Sequence, residues 1–298
     1  MNMHSVAAVL GLFLASSLAS AADGDASETT AADPADPAAP ADTGAAEAAT
    51  APSAAPSNLI NIDVETASAY VWRGLNLFGE NQNTQNFSVF PSVTAIFGGF
   101  SIGYFGAFQL SGDNKVDNVD SGVGAQQTLI TKYSGSIADK LSYSADLIYW
   151  VYPFASEEVA GTDYPMAVEP GVGLTYATAV NVGLYVGYYR PLQDVNEAGS
   201  FVYINPHVGK TLPITADIDL ALGLSAGYKA YTNLPSGQDP DKAFDLTLNA
   251  GAKLPFSDMY VTPQVHAAFV TRRSDVNADF GDEFIAWAGV HVGYNIGL

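Results

Sequence analysis

The sequence predicts an all-β fold: one transmembrane antiparallel up-and-down β-barrel of about twelve strands, after a signal peptide and a disordered linker. Three observations carry this. From Asn58 onward, apolar residues alternate with small or polar ones at a period of two. The alternating runs last about ten or more residues, longer than the usual globular strand and enough to cross a bilayer at a tilt. Short turns also alternate with long loops, the layout of an outer-membrane barrel.

The segments follow in order. Residues 1–21 read as a signal peptide, with an apolar centre from Val6 to Leu14 and small residues ending Ala19-Ser20-Ala21. Only His4 and the α-amino group offer positive charge near its start, and the apolar run falls short of the roughly 20 residues a spanning helix needs. Cleavage is expected after Ala21 or Ala22. Residues 22–57 hold no aromatic residue and nothing aliphatic larger than alanine. Such a stretch cannot bury enough to offset its ordering entropy, so it reads as a disordered acidic Ala/Pro-rich linker.

Residues 58–298 form the barrel. Strands are expected at 60–73, 87–97, 100–110, 125–135, 141–152, 165–177, 180–190, 201–212, 218–231, 243–254, 259–272 and 283–298. In VNVGLYVGYY (180–189), Val182, Leu184, Val186 and Tyr188 share one face, and Asn181, Gly183, Tyr185, Gly187 and Tyr189 the other. Residues 125–135 are weakly patterned, so ten or fourteen strands stay open. Pro91, Pro170, Pro206 and Pro263 fall inside expected strands, where proline removes a ladder donor; bulges or shifted boundaries are expected there.

A soluble β-sandwich or lipocalin-like barrel also alternates. Its polar face, however, would carry long charged side chains, whereas here that face is mostly Gly, Ser, Ala, Asn and Tyr. Tyr70, Trp72, Phe108, Tyr149, Tyr188 and Tyr228 fall near the loop ends and read as a lipid-facing aromatic girdle.

Composition narrows the function. The net charge is −20, with 31 acidic residues against 11 basic ones, so no basic patch supports a nucleic-acid partner. Cysteine is absent, which excludes disulfides, thiolate metal sites and cysteine nucleophiles. Parity turns Asp63, Glu65, Arg73, Asp146, Glu169, Asp219, Lys229, Asp245, Lys253, His266, Arg272 and His291 inward, as a pore lining or as ion pairs that brace the wall. If residues 273–282 join the last two strands, His266 and His291 lie nearly opposite, with Asn249 beside them. Two histidines with no firm carboxylate make a thin metal site, and a Ser-His-Asn hydrolase would have to act at the lipid-facing wall. No catalytic residue, metal site or cofactor is therefore expected, and His207, His266 and His291 read as polar wall residues. The loop acids, among them Asp113, Asp117, Asp120, Glu157, Glu158, Asp163, Asp239, Asp241, Asp275, Asp279 and Asp282, suit divalent cations or bridges to lipopolysaccharide, or simply keep the loops solvated.

The stretch SAYVWRGLNL (68–77), followed by LIYWVYP (147–153), resembles the TorF-type porin family of Gram-negative outer-membrane proteins, whose function is unknown. The resemblance spans most of residues 60–298. It implies an outer-membrane barrel of porin type with no established substrate, and makes Tyr70, Arg73 and Gly74 signature positions; Trp72 departs from the usual phenylalanine. The final residues HVGYNIGL also resemble the C-terminal signal read by barrel-assembly machinery, through His291, Gly293, Tyr294, Ile296 and Leu298. The expectation is a porin-like channel, reached by export through the cleaved signal. It would pass small hydrophilic solutes with a cation bias, among outer-membrane lipid and lipopolysaccharide. The alternative is a plugged structural or receptor-like barrel with surface-exposed acidic loops.

Overall fold

The structure, a computed structural model, describes residues 58–73, 75–76, 85–111, 124–151, 166–192, 200–215, 218–233, 244–271 and 283–298. Its strands are β1 (Leu59–Ala67), β2 (Val71–Trp72), β3 (Leu75–Asn76), β4 (Ser88–Phe97), β5 (Phe100–Gln109), β6 (Gly124–Ala138), β7 (Leu141–Val151), β8 (Met166–Tyr176), β9 (Asn181–Pro191), β10 (Ser200–Pro213), β11 (Asp219–Asn233), β12 (Phe244–Phe256), β13 (Met259–Thr271) and β14 (Glu283–Gly297). Twelve of them close a barrel in the order β1-β14-β13-β12-β11-β10-β9-β8-β7-β6-β5-β4, while β2 and β3 form a separate hairpin. Closure runs through β1, which meets β14 from Leu59↔Gly297 to Ala67↔Gly289 and β4 from Leu59↔Ile96 to Ala67↔Ser88. Among the described residues the twelve barrel strands thus leave no open edge between them, as a hydrocarbon environment requires of a spanning sheet. The expected signal peptide and linker lie outside the described residues.

The period-two pattern sorts the wall into two faces. Leu248, Val172, Val265 and Phe284 point outward, each more than half exposed (53–59%). Such apolar surface would be a liability in water and is at home against acyl chains. One end of the barrel is made of tight connections. At the turn between β4 and β5, Phe97 faces Phe100, and Gly98 supplies the positive φ of 60° that a two-residue hairpin demands.

Three expectations need correction. The first run does not continue as one strand from 60 to 73. It ends at Ala67, and residues 68–73 turn into the lumen. Tyr70 and Trp72, 1% exposed, are therefore interior residues and not part of a girdle. Phe108, Tyr149, Tyr188 and Tyr228 do face outward.

Nor do the prolines sit at bulges. Pro91, Pro170, Pro206 and Pro263 pair with Val64, Leu147, Leu184 and Val290 on one side. On the other side the ladder skips two positions and resumes in the same register, as from Val168↔Arg190 to Gly171↔Gly187. The missing N–H deletes bridges locally, and alignment survives because the flanking pairs hold it.

The inward segment makes the apolar interior. Ala69 and Val71 pack on Ala268 and Ile285; Tyr70 packs with Ala67, Phe90 and Ala107; Trp72 packs with Trp150, Ala167, Tyr189, Phe201 and Tyr203. The segment thus crosses the lumen from the β13–β14 wall to the β7–β10 wall.

Candidate functional site

At the tip of the inward hairpin, Val71 faces Asn76 and Trp72 faces Leu75, and Arg73 leads out of β2. Arg73 has a φ of 45°, in the left-handed region that a two-residue hairpin turn uses and that side chains other than glycine seldom enter. Gly74 is outside the described residues. The turn delivers a buried guanidinium to the far wall.

There Arg73 Nη2 donates to Glu169 Oε1 at 2.6 Å, with the Glu169 side chain fully buried. Aromatic faces surround the cation: its Cζ lies 4.0 Å from the Tyr203 ring centroid, 4.4 Å from Trp72 and 5.4 Å from Phe201. Lys229 shares the cage, its Nζ 4.5 Å from Trp72 and 5.3 Å from Phe201. The Tyr185 hydroxyl lies 3.0 Å from Glu169 Oε1 and 3.2 Å from Asp146 Oδ1, and the Tyr203 hydroxyl 3.5 Å from Asp245 Oδ2. Asp146, Glu169, Lys229 and Asp245 thus converge with Arg73. Among the described residues, Arg73 Nε and Nη1, Glu169 Oε2 and Trp150 Nε1 have no hydrogen-bond partner.

A second network braces the closing seam. His291 Nδ1 lies 3.0 Å from Asp63 Oδ1, and its Nε2 3.3 Å from Glu65 Oε2. Gln264 Nε2 donates to Glu65 Oε1 at 2.7 Å and lies 2.7 Å from His291 Nε2. The Tyr260 hydroxyl donates to Asp63 Oδ2 at 2.9 Å. Side chains from β1, β13 and β14 are so tied across the junction.

His266 belongs elsewhere. The register sets it opposite Trp287 and Asn249, while His291 faces Thr262 and Glu65, so the two histidines are not opposite one another. His266 instead stacks on Trp287, with ring centroids 4.8 Å apart. His207 faces Gly183 on another wall. Asp219 and Lys253 face each other at the tight-turn end and are exposed, with Lys253 Nζ 4.1 Å from the Tyr260 ring centroid. Arg272 and the loop acids named above lie outside the described residues. On β14, His291 and Gly293 turn inward while Tyr294 and Ile296 face outward, and Leu298, just past the strand, is exposed as well.

Tyr185, Tyr203, Gln264 and Tyr260 connect these charges, and the sequence reading did not single them out as site residues. A signal was present for Tyr185, which shares the inward parity of Gly183 and Gly187. Glycines beside a tyrosine leave room for a side chain to lie flat on the wall. Lys132, opposite Asp146 in the β6–β7 ladder, was missed as well.

No protein-family model matches the chain. No curated protein is similar to it in sequence. Among solved structures, the barrel is similar to the NanC porin (TM-score 0.49, 11% identity), with 80% of this chain and 100% of that one covered. It is similar to the KdgM porin (TM-score 0.46, 12% identity), covering 78% and 98%. A third likeness is to the COG4313 outer membrane channel from Pseudomonas putida F1 (TM-score 0.45, 9% identity), covering 83% and 98%. At these values the likeness is one of barrel shape.

Proposed function

We propose that the protein is a porin-like channel of the outer membrane, passing small hydrophilic solutes with a cation bias, its outer lumen held narrow by residues 68–73. The observation that carries this is the charged inner wall of a closed barrel with an apolar outer face. Among the described lumen-facing residues, Asp63, Glu65, Asp146, Glu169, Asp219 and Asp245 stand against Arg73, Lys132, Lys229 and Lys253. Excess carboxylate along a narrow path favours cations. A wall meant only to be packed would not need them, because burying charge is costly. The same reading places the chain with the TorF-type porins through Tyr70 and Arg73. It also makes the N-terminal 21 residues a cleaved signal, and takes lipopolysaccharide and the barrel-assembly machinery as partners.

Planar-bilayer recording under a salt gradient tests it: channel events should reverse at a potential of cation preference. Chloride preference, or no events from the folded wild type and from Glu169→Gln, overturns the proposal.

The burial of Trp72 and Arg73 favours a second reading, a permanently plugged barrel with a surface role. Liposome swelling separates the two, since a plug that never leaves admits no sugar even when Glu169 is replaced.

A further inference from the structure

We propose that the lumen wall around Glu169 is a binding site for solutes that carry a guanidinium group, and that Arg73 occupies it as a tethered stand-in. This rests on the channel reading and names a substrate class for it.

The wall supplies the chemistry without the hairpin. Strands β7 to β12 bring Asp146, Glu169 and Asp245 to one stretch, with the Tyr185 and Tyr203 hydroxyls beside the carboxylates. The Tyr203 and Phe201 rings offer flat faces next to them. The described cations here, once Arg73 is withdrawn, are Lys229 and Lys132, against three carboxylates. A planar cation with N–H groups at its edge matches this combination of π-face and carboxylate. An anion would meet the carboxylates, and a compact ammonium would keep the point-charge attraction to the rings that Lys229 shows but lose the planar stack and the fork.

Arg73 fills the site incompletely. A guanidinium and a carboxylate pair best through two parallel hydrogen bonds. Here one is made, and Arg73 Nε and Nη1 and Glu169 Oε2 are left without partners among the described residues. The guanidinium hangs from a residue whose backbone is held in the left-handed region, which limits how it can approach. A free guanidinium has no such constraint and can reach both oxygens. In the wild type it competes against a tether whose effective concentration is of millimolar order.

The test uses the full-length barrel carrying Arg73→Ala, purified in detergent, with its fold verified by heat-modifiable gel mobility. Argininamide is titrated while tryptophan fluorescence is read, since Trp72 and Trp150 both line the site. Expected is saturable binding at least about tenfold tighter than to the wild type, because the tethered competitor is gone. Adding Glu169→Gln should weaken it by about tenfold or more, the scale of one charge-assisted hydrogen bond. Methylammonium should bind at least about tenfold more weakly than argininamide, because it offers neither fork nor plane. If Arg73→Ala does not fold, Arg73→Gly, which suits the left-handed turn, takes its place. A folded variant with no saturable response, or with equal response to methylammonium, overturns the site. A barrel that conducts yet binds no argininamide overturns the site and leaves the channel reading standing. One that binds argininamide but never conducts overturns the channel reading and keeps the site.

Discussion

Replacing Glu169 by glutamine should release the inward segment. Glu169 is 0% exposed and Arg73 6% exposed, so the 2.6 Å contact joins two charges that water does not reach. Removing one partner of such a pair costs about 3–5 kcal/mol, because the other is left buried and uncompensated. The cation–π contacts with Tyr203 and Trp72 survive and retain about 0.5–2 kcal/mol between guanidinium and ring. The left-handed backbone at Arg73 works the other way, storing about 1–3 kcal/mol that withdrawal can relieve. Both terms are common to wild type and variant and drop out of the change, so the lost carboxylate sets it. At about 1.4 kcal/mol per factor of ten, the ratio of inserted to withdrawn hairpin falls about a hundredfold or more. Single-channel recording should show a larger or longer-lived open level in Glu169→Gln. Acrylamide should quench Trp72 more readily in a variant whose other tryptophans are phenylalanine. A folded Glu169→Gln barrel with wild-type conductance and wild-type quenching would refute the latch.

Other substitutions probe other links. A Cβ at Gly187 would meet Glu169 Oε1, so Gly187→Ala should displace the carboxylate and reproduce the Glu169→Gln conductance without altering any charge. His291→Ala leaves Asp63 and Glu65 without their shared partner at the seam. It should cost about 3 kcal/mol, read as a lower temperature for loss of the folded band on a gel. Val265 is outward and central in β13, 58% exposed. Val265→Arg should lower folding stability in lipid vesicles by about 2–4 kcal/mol, as expected near the bilayer midplane; an unchanged value would argue against lipid at that face.

The barrel was legible because alternation survives in nearly every strand and tight and long connections alternate; the weakly patterned residues 125–135 left ten or fourteen strands open, and the closed sheet has twelve. The inward turn at Ser68 was not legible, since Tyr70 and Trp72 prolong the alternation of β1 without being part of it. An apolar side chain looks the same in sequence whether it meets acyl chains or a lumen packed with Trp150 and Phe201. The inward parity of Glu169 and Arg73 could be read, but their pairing could not. They are 96 positions apart, and contact across the lumen depends on strand stagger, which no local pattern encodes. The same limit misplaced His266 against His291: the length of a connecting loop does not specify register. The prolines were misjudged because a bulge is one answer to a missing donor, and a two-position gap with preserved register is another.

Those gaps bear on the latch. Glu169 lies beside Pro170, in the stretch where β8 and β9 share no bridge, and Asn205, whose side chain donates to the Tyr203 hydroxyl, lies beside Pro206 in the matching stretch of β10 and β11. Main-chain hydrogen bonds normally make a barrel stave stiff against lateral displacement. Here two staves carry slack where the carboxylate and the aromatic cage are mounted. If the guanidinium is to leave and return as proposed, these gaps are where the wall would yield by a small breathing motion, with the ladders above and below serving as fixed rails.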